Sequence, residues 1–356
     1  MKILAVDIGA GTEDILLFDS RKRLENCIKL VLPSPSLLLA ERVSRQATPG
    51  ELFVSGHTVG GGPFSRALKK YLASGGRLLM SPAAAYSIRN NLEEVTSMGV
   101  ELADEPPPAF AGAVMEADEL DLGPLTRLLQ SAGEGLEDLD AAVVAVQDHG
   151  TYARGESNRK TRLRHMQQRL KLSRHTADLS YLEGEVPEAF PRMVSAVRRL
   201  REQLSCPHIM VMDTAPAAVA GCLEDPRVGE LTEGNLLLVN AGNGHTMACL
   251  LGGGKVVGLM EHHTRKLEPA AFAAYLKRFA DGEARDDDPF MAEGHGLFYL
   301  GEAPGWGDLD LVAVTGPHRG MMEGTGLDVF YPAPGGDMMM TGPLGLVRTL
   351  RERLPA

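Results

Sequence analysis

The amino-acid sequence predicts a layered α/β protein, and three observations lead to this fold class. Short apolar segments of strand character alternate with helical segments along the chain, and no internal repeat period is present. Two strand–turn–strand elements, about 230 residues apart, carry the same turn chemistry. The chain has 356 residues, of which 44% are hydrophobic, and this is enough to form one large or two medium-sized cores.

Composition and charge exclude several other classes of protein. A net charge of −11 and an aromatic content of 5% disfavour nucleic acid as a ligand. No apolar run reaches the roughly 18–20 residues that a membrane helix needs, and Asp7 interrupts what would otherwise be the apolar part of a signal peptide. We therefore expect a cytoplasmic protein without membrane or nucleic-acid partners. This agrees with four dispersed cysteines, which are typical of a reducing compartment: Cys27, Cys206, Cys222 and Cys249.

In the first half of the chain, the pattern predicts three short strands within the first fifty residues and then a helix over Ser36–Arg45. A strand over Glu51–Gly56 follows, and the next helix begins at Pro63. The apolar segment 140–147 gives the strongest signal for a buried strand in this half. The basic stretch from Arg154 to Arg174 is interpreted mainly as a solvated helix face. The alternative is contact with an acidic partner or with substrate phosphates, and it is favoured for Arg154 and Arg159, which are nearest to the loop 147–150.

The second half of the chain is rich in glycine. Of the 40 glycines in the sequence, 21 lie between Gly234 and Gly345, and glycine is the residue that lets a backbone approach a ligand closely. Strands and helices continue to alternate here. The predicted elements are a helix at about 187–204, a strand at 208–212, a helix at 215–221, a strand at 235–240, a helix at 268–280, a strand at 309–314 and a terminal helix at about 337–354.

The two strand–turn–strand elements are the clearest candidates for a ligand site. The first strand carries Asp7 near its end and leads into Gly9-Ala10-Gly11-Thr12, and the second ends in Asn240 and leads into Gly242-Asn243-Gly244-His245-Thr246. Glycine turns present backbone N–H groups to an anion, and the strand-end Asp and Asn suit a hydrated Mg²⁺. Either turn alone is more simply a glycine hairpin, but a matching pair favours a polyphosphate held between them.

Five segments of the chain carry a resemblance to known proteins: residues 7–14, 212–221, 240–246, 311–320 and 335–345. They resemble, in order, the first phosphate loop, the first connecting helix, the second phosphate loop, the adenosine loop and the second connecting helix of the actin, heat-shock-70 chaperone and sugar-kinase ATPase superfamily. The resemblance implies two ribonuclease-H-like domains, residues 1–212 and 213–356, with ATP and Mg²⁺ in the cleft between them and Gly316, Gly335 and Gly336 flanking the adenosine.

More narrowly, the chain resembles a prokaryotic family that is often labelled as related to pyruvate formate-lyase activating enzyme. The segments that carry this resemblance are 60–63, 147–150 and 240–245. A radical-generating iron–sulfur enzyme needs three closely spaced cysteine ligands, and this sequence has none at such spacing. We therefore do not expect radical chemistry of that kind.

Three residues are candidates for proton transfer. By the resemblance, Asp213 occupies the place of the acid that polarises water, and its alternative role is to cap the following helix. Asp148 and His149 follow a buried strand and suit removal of a proton from an acceptor hydroxyl, the alternative being a polar turn in which Asp148 caps the next element. His245 suits donation to a phosphate or proton movement near pH 7, and its alternative partner is a local carbonyl.

The substrate side of the cleft is predicted at a third glycine turn. Gly60, Gly61 and Gly62 follow a strand and precede a helix, and a helix N-terminus preceded by glycines is a plausible anion site. Gln147 is expected to emerge beside them. The predicted ligand on this side is a small-molecule substrate, and neither its identity nor an oligomeric state follows from the sequence.

Two classes of function remain open. The first is an ATP-dependent enzyme, either a small-molecule phosphotransferase or an activating ATPase, and the polar loop 147–150 favours it. The second is a nucleotide-gated regulatory or binding protein with little or no turnover. Asn240 favours the second class, because the superfamily usually has an aspartate at this position. His262 and His263 have no cysteines at zinc spacing, so no structural zinc site is predicted.

Overall fold

The computed structural model describes residues 1–60, 62–153 and 158–354 of the chain. Within these residues the chain forms fifteen strands in three sheets. In chain order they are β1 Lys2–Ile8, β2 Thr12–Asp19, β3 Ile28–Pro33, β4 Glu51–Gly56, β5 Arg77–Met80, β6 Glu101–Leu102, β7 Ala113–Ala117, β8 Ala141–Val146, β9 Ser180–Leu182, β10 His208–Met212, β11 Asn235–Ala241, β12 His245–Gly252, β13 Lys255–His263, β14 Gly296–Tyr299 and β15 Leu311–Thr315.

Eleven α-helices lie within the same described residues, and several begin at a proline, whose fixed φ suits the first turn of a helix. None of these helices combines the length and the apolarity that crossing a bilayer requires. The helices are α1 Pro35–Ser44, α2 Pro63–Ala73, α3 Pro82–Ala85, α4 Leu92–Ser97, α5 Leu122–Ser131, α6 Asn158–Leu170, α7 Pro191–Gln203, α8 Thr214–Cys222, α9 Pro226–Gly229, α10 Pro269–Ala280 and α11 Thr341–Arg353.

The first sheet has the strand order β3-β2-β1-β8-β10-β9. Strands β1 to β3 form an antiparallel meander, and β8 and β10 run parallel to β1 on its other side. A meander followed by parallel strands beyond its first strand is the ribonuclease-H-like arrangement. Because β1, β8 and β10 are parallel, their carboxyl ends meet at one edge of the sheet, and this edge carries the first half of the candidate site.

The second sheet repeats this arrangement with the order β14-β13-β12-β11-β15. Strands β11 to β13 form the meander, and β15 runs parallel to β11. The two sheets therefore share a topology that the sequence does not show as a repeat. This confirms the predicted fold class, an α/β protein with two ribonuclease-H-like units.

A third, four-stranded sheet with the order β6-β5-β4-β7 was not foreseen from the sequence. All its pairs are parallel, and it packs with α1 to α4 around a separate apolar cluster. The chain enters this unit after β3 and leaves it before β8. Strand β4 was predicted correctly at Glu51–Gly56, but its pairing with β5 and β7 depends on contacts that are remote in sequence.

Two helices cross between the first and second sheets and join them into one core. Helices α8 and α11 pack closely, and one apolar cluster contains side chains from both sheets and both helices. The close approach requires glycine, because a Cβ on Gly345 would overlap the carbonyl oxygen of Ala217, and one on Gly221 would overlap that of Thr341. Helix α11 also packs on β1 and β8, so the division of the chain at residue 213 stays a proposal.

Candidate functional site

The first glycine turn connects β1 to β2 and is held in a fixed shape. The N–H of Gly9 donates to the carbonyl oxygen of Thr12 across the turn, at 2.9 Å. Ser34 braces it from outside, because its hydroxyl donates to the Gly9 carbonyl at 2.8 Å and its N–H donates to the Gly11 carbonyl at 3.1 Å. Ala10 is exposed at the tip of the turn, where its backbone is accessible to a ligand.

Asp7 lies at the end of β1, and one of its carboxylate oxygens has no hydrogen-bond partner among the described residues. This oxygen, Oδ1, is inaccessible, whereas Oδ2 lies so close to Gly342 at the start of α11 that a Cβ there would overlap it. Burial raises the pKa of Asp7 well above its usual range, and nearby Asp14 and Asp213 raise it further. Burial also raises the pKa of Asp14 to about 7. Arg192 acts in the opposite direction on Asp7 but less strongly than burial. Two neighbouring carboxyl groups at the end of a strand suit a hydrated divalent cation.

The second glycine turn connects β11 to β12 and is also braced. The N–H of Gly242 donates to the carbonyl oxygen of His245 at 3.0 Å, and the N–H of Thr264 donates to the Gly244 carbonyl at 3.0 Å. The hydroxyl of Thr264 donates to the Gly242 carbonyl at 2.7 Å and lies 3.0 Å from the hydroxyl of Thr246. The Thr246 hydroxyl is therefore hydrogen-bonded within the protein, and this contact helps to hold the turn in its shape.

The residues predicted to flank the adenosine come from two places. Gly316 follows β15 and lies against the end of β11, where a Cβ would be 2.8 Å from Oδ1 of the buried Asn240. Gly335 and Gly336 lie beside the first sheet, where the Gly335 carbonyl accepts from the Lys29 ammonium at 2.8 Å. Gly316 therefore adjoins the second turn, and Gly335 adjoins β3.

The two glycine turns face and touch each other. A Cβ on Gly11 in the first turn would lie 2.7 Å from Nδ2 of Asn243 in the second. A second contact spans the same gap, because the Gln147 side-chain amide after β8 lies 2.8 Å from Nδ1 of His245. The structure thus brings together the two segments that the sequence analysis paired.

Asp148 is fully engaged as a cap. Its Oδ1 accepts from the Asn90 amide and the Gly150 N–H, both at 2.9 Å, and its Oδ2 accepts from the N–H groups of Arg192 and Met193 at 2.7 and 3.2 Å. These last two N–H groups belong to the first turn of α7, whose orphan donors need such partners. The surroundings of Asp148 favour a capping role over removal of a proton from a substrate, but the helix that it caps is α7 and not the next element of the chain.

Asp213 is engaged in the same way by Arg162. The guanidinium donates to both carboxylate oxygens, at 2.9 and 2.5 Å, and the N–H of Ala215 in α8 donates to Oδ1 at 3.2 Å. Arg162 also pairs with Glu261 on β13, and its side chain is only 1% exposed. The prediction of a solvated face is therefore wrong at Arg162, and Arg154, the first residue of that stretch, lies outside the described residues.

Four histidines converge beside this ion pair. The ring centre of His149 lies 5.4 Å from those of His245 and His295, and the ring of His263 lies 4.6 Å from that of His295. Burial lowers the pKa of His149 well below its usual range and that of His245 to about 4, so both rings are neutral at pH 7. Sequence reasoning found His149 and His245 singly but missed the cluster, because its members are far apart in the chain.

The Gly60 end of the predicted substrate loop supports a buried ion pair. The N–H of Gly60 donates to Glu119 at 2.7 Å, and its lack of a side chain makes room for the guanidinium of Arg192. Arg192 pairs with Glu119 at 2.8 Å and donates to the Gln147 carbonyl at 2.9 Å. Gly62 precedes α2, and Gly61 lies outside the described residues. Neither Arg192 nor Glu119 belongs to a motif, so sequence reasoning could not identify this ion pair.

The cysteines do not suit an iron–sulfur cluster. All four are free and buried, and burial raises the pKa of the Cys249 thiol to about 12. Cluster ligands are thiolates, whereas this thiol stays protonated at neutral pH. The donor set of this chain therefore does not fit such a cluster.

Two ribonuclease-H-like sheets, joined by crossing helices and carrying facing glycine turns, define a protein of the actin-like ATPase fold class. The chain belongs to the family described as "Putative pyruvate format-lyase activating enzyme (DUF1786)", whose model matches residues 59–321. Among curated proteins, none matches the chain.

Several solved structures are similar over nearly the whole chain. The "PilM-PilN type IV pilus biogenesis complex" is 14% identical with a TM-score of 0.43, and covers 100% of this chain and 99% of its own. The Listeria monocytogenes "Lmo2764 protein, a putative N-acetylmannosamine kinase" is 9% identical with a TM-score of 0.36, covering 99% and 100%. The ethanolamine utilization protein EutJ from Carboxydothermus hydrogenoformans is 11% identical with a TM-score of 0.36, covering 98% and 90%. The fold assignment rests on the strand orders above and not on these similarities.

Proposed function

We propose that this protein binds ATP with Mg²⁺ between its two glycine turns and acts as a small-molecule phosphotransferase or activating ATPase. The observation that carries the proposal is the contact between the turns, in which a Cβ on Gly11 would lie 2.7 Å from Nδ2 of Asn243. Two braced turns with accessible backbone, one from each sheet, suit a polyphosphate that both halves hold.

Different residues around the two turns bind the metal ion, the phosphates and the nucleoside. Asp7 and Asn240 end their strands on either side of the gap and hold Mg²⁺, for which the unpartnered Oδ1 of Asp7 is suited. The backbones of residues 9–12 and 242–246 hold the phosphates, and Gly316 borders the nucleoside. When bound, ATP supplies the transferable phosphoryl group and Mg²⁺ neutralises charge on its phosphates.

In this proposal the acceptor substrate binds at the histidine cluster. Asp148 and Asp213 have both carboxylate oxygens occupied by hydrogen bonds within the protein. His149 lies in the cluster and carries a neutral ring, and Gln147 connects the cluster to the second turn. The small-molecule substrate would bind beside His149 and Gln147, on the side predicted from the sequence.

A second candidate function is a nucleotide-gated regulatory protein. The saturation of Asp148 and Asp213 favours it, because neither carboxylate is available to accept a proton without breaking a helix cap or a buried ion pair. Asn240 favours it as well, since an amide cannot act as a base. In this case closure of the two turns around ATP is the signal, and turnover is slow or absent.

Thermal unfolding with Mg-ATP, Mg-ADP, Mg²⁺ alone and no ligand tests the binding proposal. A ligand that binds only the folded state stabilises it, by about 2.7 kcal/mol at one hundred times its Kd. We expect both nucleotides to raise the melting temperature, and Asp7→Asn to remove the part that depends on Mg²⁺. Absence of any shift with either nucleotide contradicts the proposal.

Single-turnover hydrolysis tests for turnover. If wild-type protein binds ATP and releases phosphate, the enzymatic hypothesis is supported. Binding without release argues against an activating ATPase only, because a phosphotransferase also retains ATP when no acceptor is present. Asn240→Asp provides a further comparison, because a carboxylate at this position should make nucleotide binding depend more strongly on Mg²⁺.

A further inference from the structure

The histidine cluster contains three side chains arranged as metal ligands are, and it is separate from the Mg²⁺ site proposed at Asp7. His149 follows β8, His245 is the first residue of β12, and His295 directly precedes β14. One ring nitrogen from each of these three residues lies within 4.8 Å of the others. Three imidazole nitrogens from three separate elements thus surround one point at the contact between the two halves of the molecule.

The spacing of the ring nitrogens suits metal binding. Neutral imidazole is the commonest metal ligand among protein side chains. Zinc–nitrogen bonds of about 2.0 Å place tetrahedral ligands about 3.3 Å apart. Small side-chain rotations bring nitrogens that are already within 4.8 Å to that spacing.

Residues behind the cluster orient two of the three rings. Oε2 of Glu261 lies 3.5 Å from Nδ1 of His295, which directs the opposite nitrogen, Nε2, away from the carboxylate. Nε2 of the Gln147 amide lies 2.8 Å from Nδ1 of His245. Turning this amide over, which exchanges its oxygen and nitrogen, would let the ring donate from Nδ1 and would leave its Nε2 as the ligand. Carboxylate and amide partners of this kind are usual behind metal-bound histidines.

The charge around the cluster also favours a cation. Asp213 and Glu261 share the single guanidinium of Arg162, so these three side chains carry a net charge of −1. Oε1 of Glu261 is inaccessible and has no hydrogen-bond partner among the described residues. A divalent cation bound by neutral imidazoles would offset this charge.

We propose that His149, His245 and His295 bind a first-row divalent transition-metal ion such as Zn²⁺. Imidazole ligands select such ions over Mg²⁺, which prefers oxygen. Three protein ligands leave a coordination position for water or substrate, as in catalytic rather than structural zinc sites. Because His149 belongs to the first half of the molecule and the other two ligands to the second, the ion also ties the two halves together.

Metal titration of tag-free, nucleotide-free protein tests this proposal independently of ATP. We expect one equivalent of Zn²⁺ or Co²⁺ per chain, with Co²⁺ producing visible absorption bands of a nitrogen-bound site. His149→Gln, His245→Gln and His295→Gln should each weaken binding at least 10-fold. His208→Gln, which changes an exposed histidine at the start of β10, should leave binding unchanged. Equal affinity in all variants, or no stoichiometric binding by the wild type, overturns the proposal.

X-ray absorption of the wild-type zinc complex identifies the metal ligands without any variant, so it tests the site even if the variants do not fold. We expect nitrogen ligands at about 2.0 Å with the outer-shell scattering of imidazole rings. A first shell made of oxygen alone contradicts the site even if every variant is unstable.

Discussion

Arg162 is the buried cation around which the candidate site is arranged. Its guanidinium pairs with Asp213 after β10 and with Glu261 on β13, and so connects the first and second sheets. Removing a guanidinium and two carboxylates from water costs several kcal/mol per ion, and close pairing offsets that cost. The sequence could not single out Arg162, because it stands in a run of basic residues that resembles a solvated face.

Replacing Arg162 should be strongly destabilising. Arg162→Met leaves two carboxylates buried without their partner, and breaking a buried ion pair in this way costs about 3–5 kcal/mol. Urea unfolding measures the loss, and Arg164→Met, an exposed position on the same helix, is the matched control. Adding Asp213→Asn and Glu261→Gln should restore part of the stability. Equal stability of the two arginine variants would show that the ion pair does not form.

Glu13 on β2 should make stability depend on pH. Burial raises its pKa to about 8, and Glu119, Asp14 and Asp118 add to the effect. In the unfolded state Glu13 loses its proton near pH 4.3, whereas in the folded state it keeps the proton until about pH 8. Its contribution to the free energy of unfolding is therefore fully present below about pH 4.3 and is lost as the pH rises through about 8. Glu13→Gln should raise the melting temperature by roughly 2–4 °C at pH 9 and change it little at pH 5. A shift of the same size at both pH values contradicts this account.

At the scale of elements, the crossing of α8 and α11 joins the two sheets. The sequence analysis predicted both helices, at 215–221 and at about 337–354. It could not predict which backbone atoms meet, since Gly345 and Ala217 are more than a hundred residues apart.

Gly345→Ala tests the crossing. Alanine by itself favours a helix by about 1 kcal/mol over glycine, but its Cβ would overlap the Ala217 carbonyl oxygen. The overlap forces backbone movement, so we expect a net loss of about 2 kcal/mol or more in denaturant unfolding. Gly307→Ala, where a Cβ meets no atom within 4 Å, should be close to neutral. Equal effects at both positions would mean that the helices do not approach so closely.

The predictable elements are those with a strong local pattern. Strand β10 occupies the predicted residues His208–Met212, and helix α2 begins at Pro63 as expected. The four-stranded parallel sheet escaped prediction because β5 and β6 are only four and two residues long. Parallel pairing is also set by contacts far apart in sequence, which a local pattern does not record.

At the scale of the whole molecule, the site depends on how two similar halves meet. The sequence predicted the facing turns, because each carries its own local signature of strand, glycine and threonine. It predicted Asp148 and Asp213 as proton acceptors, and the structure surrounds both with hydrogen-bond donors. The histidine cluster could not be predicted, because its ligands come from three separate elements that only the fold brings together.

Calorimetric titration of Mg-ATP into the wild type and Gly11→Val tests most directly whether the two turns form one nucleotide site. The valine Cβ would lie 2.7 Å from the Asn243 amide, a flexible side-chain end that can move. The variant should therefore fold, and its valine side chain should occupy the space between the two turns. We expect the wild type to bind one Mg-ATP and Gly11→Val to bind at least 10-fold more weakly, about 1.4 kcal/mol. No binding by the wild type, or equal affinity in both proteins, would contradict the central claim.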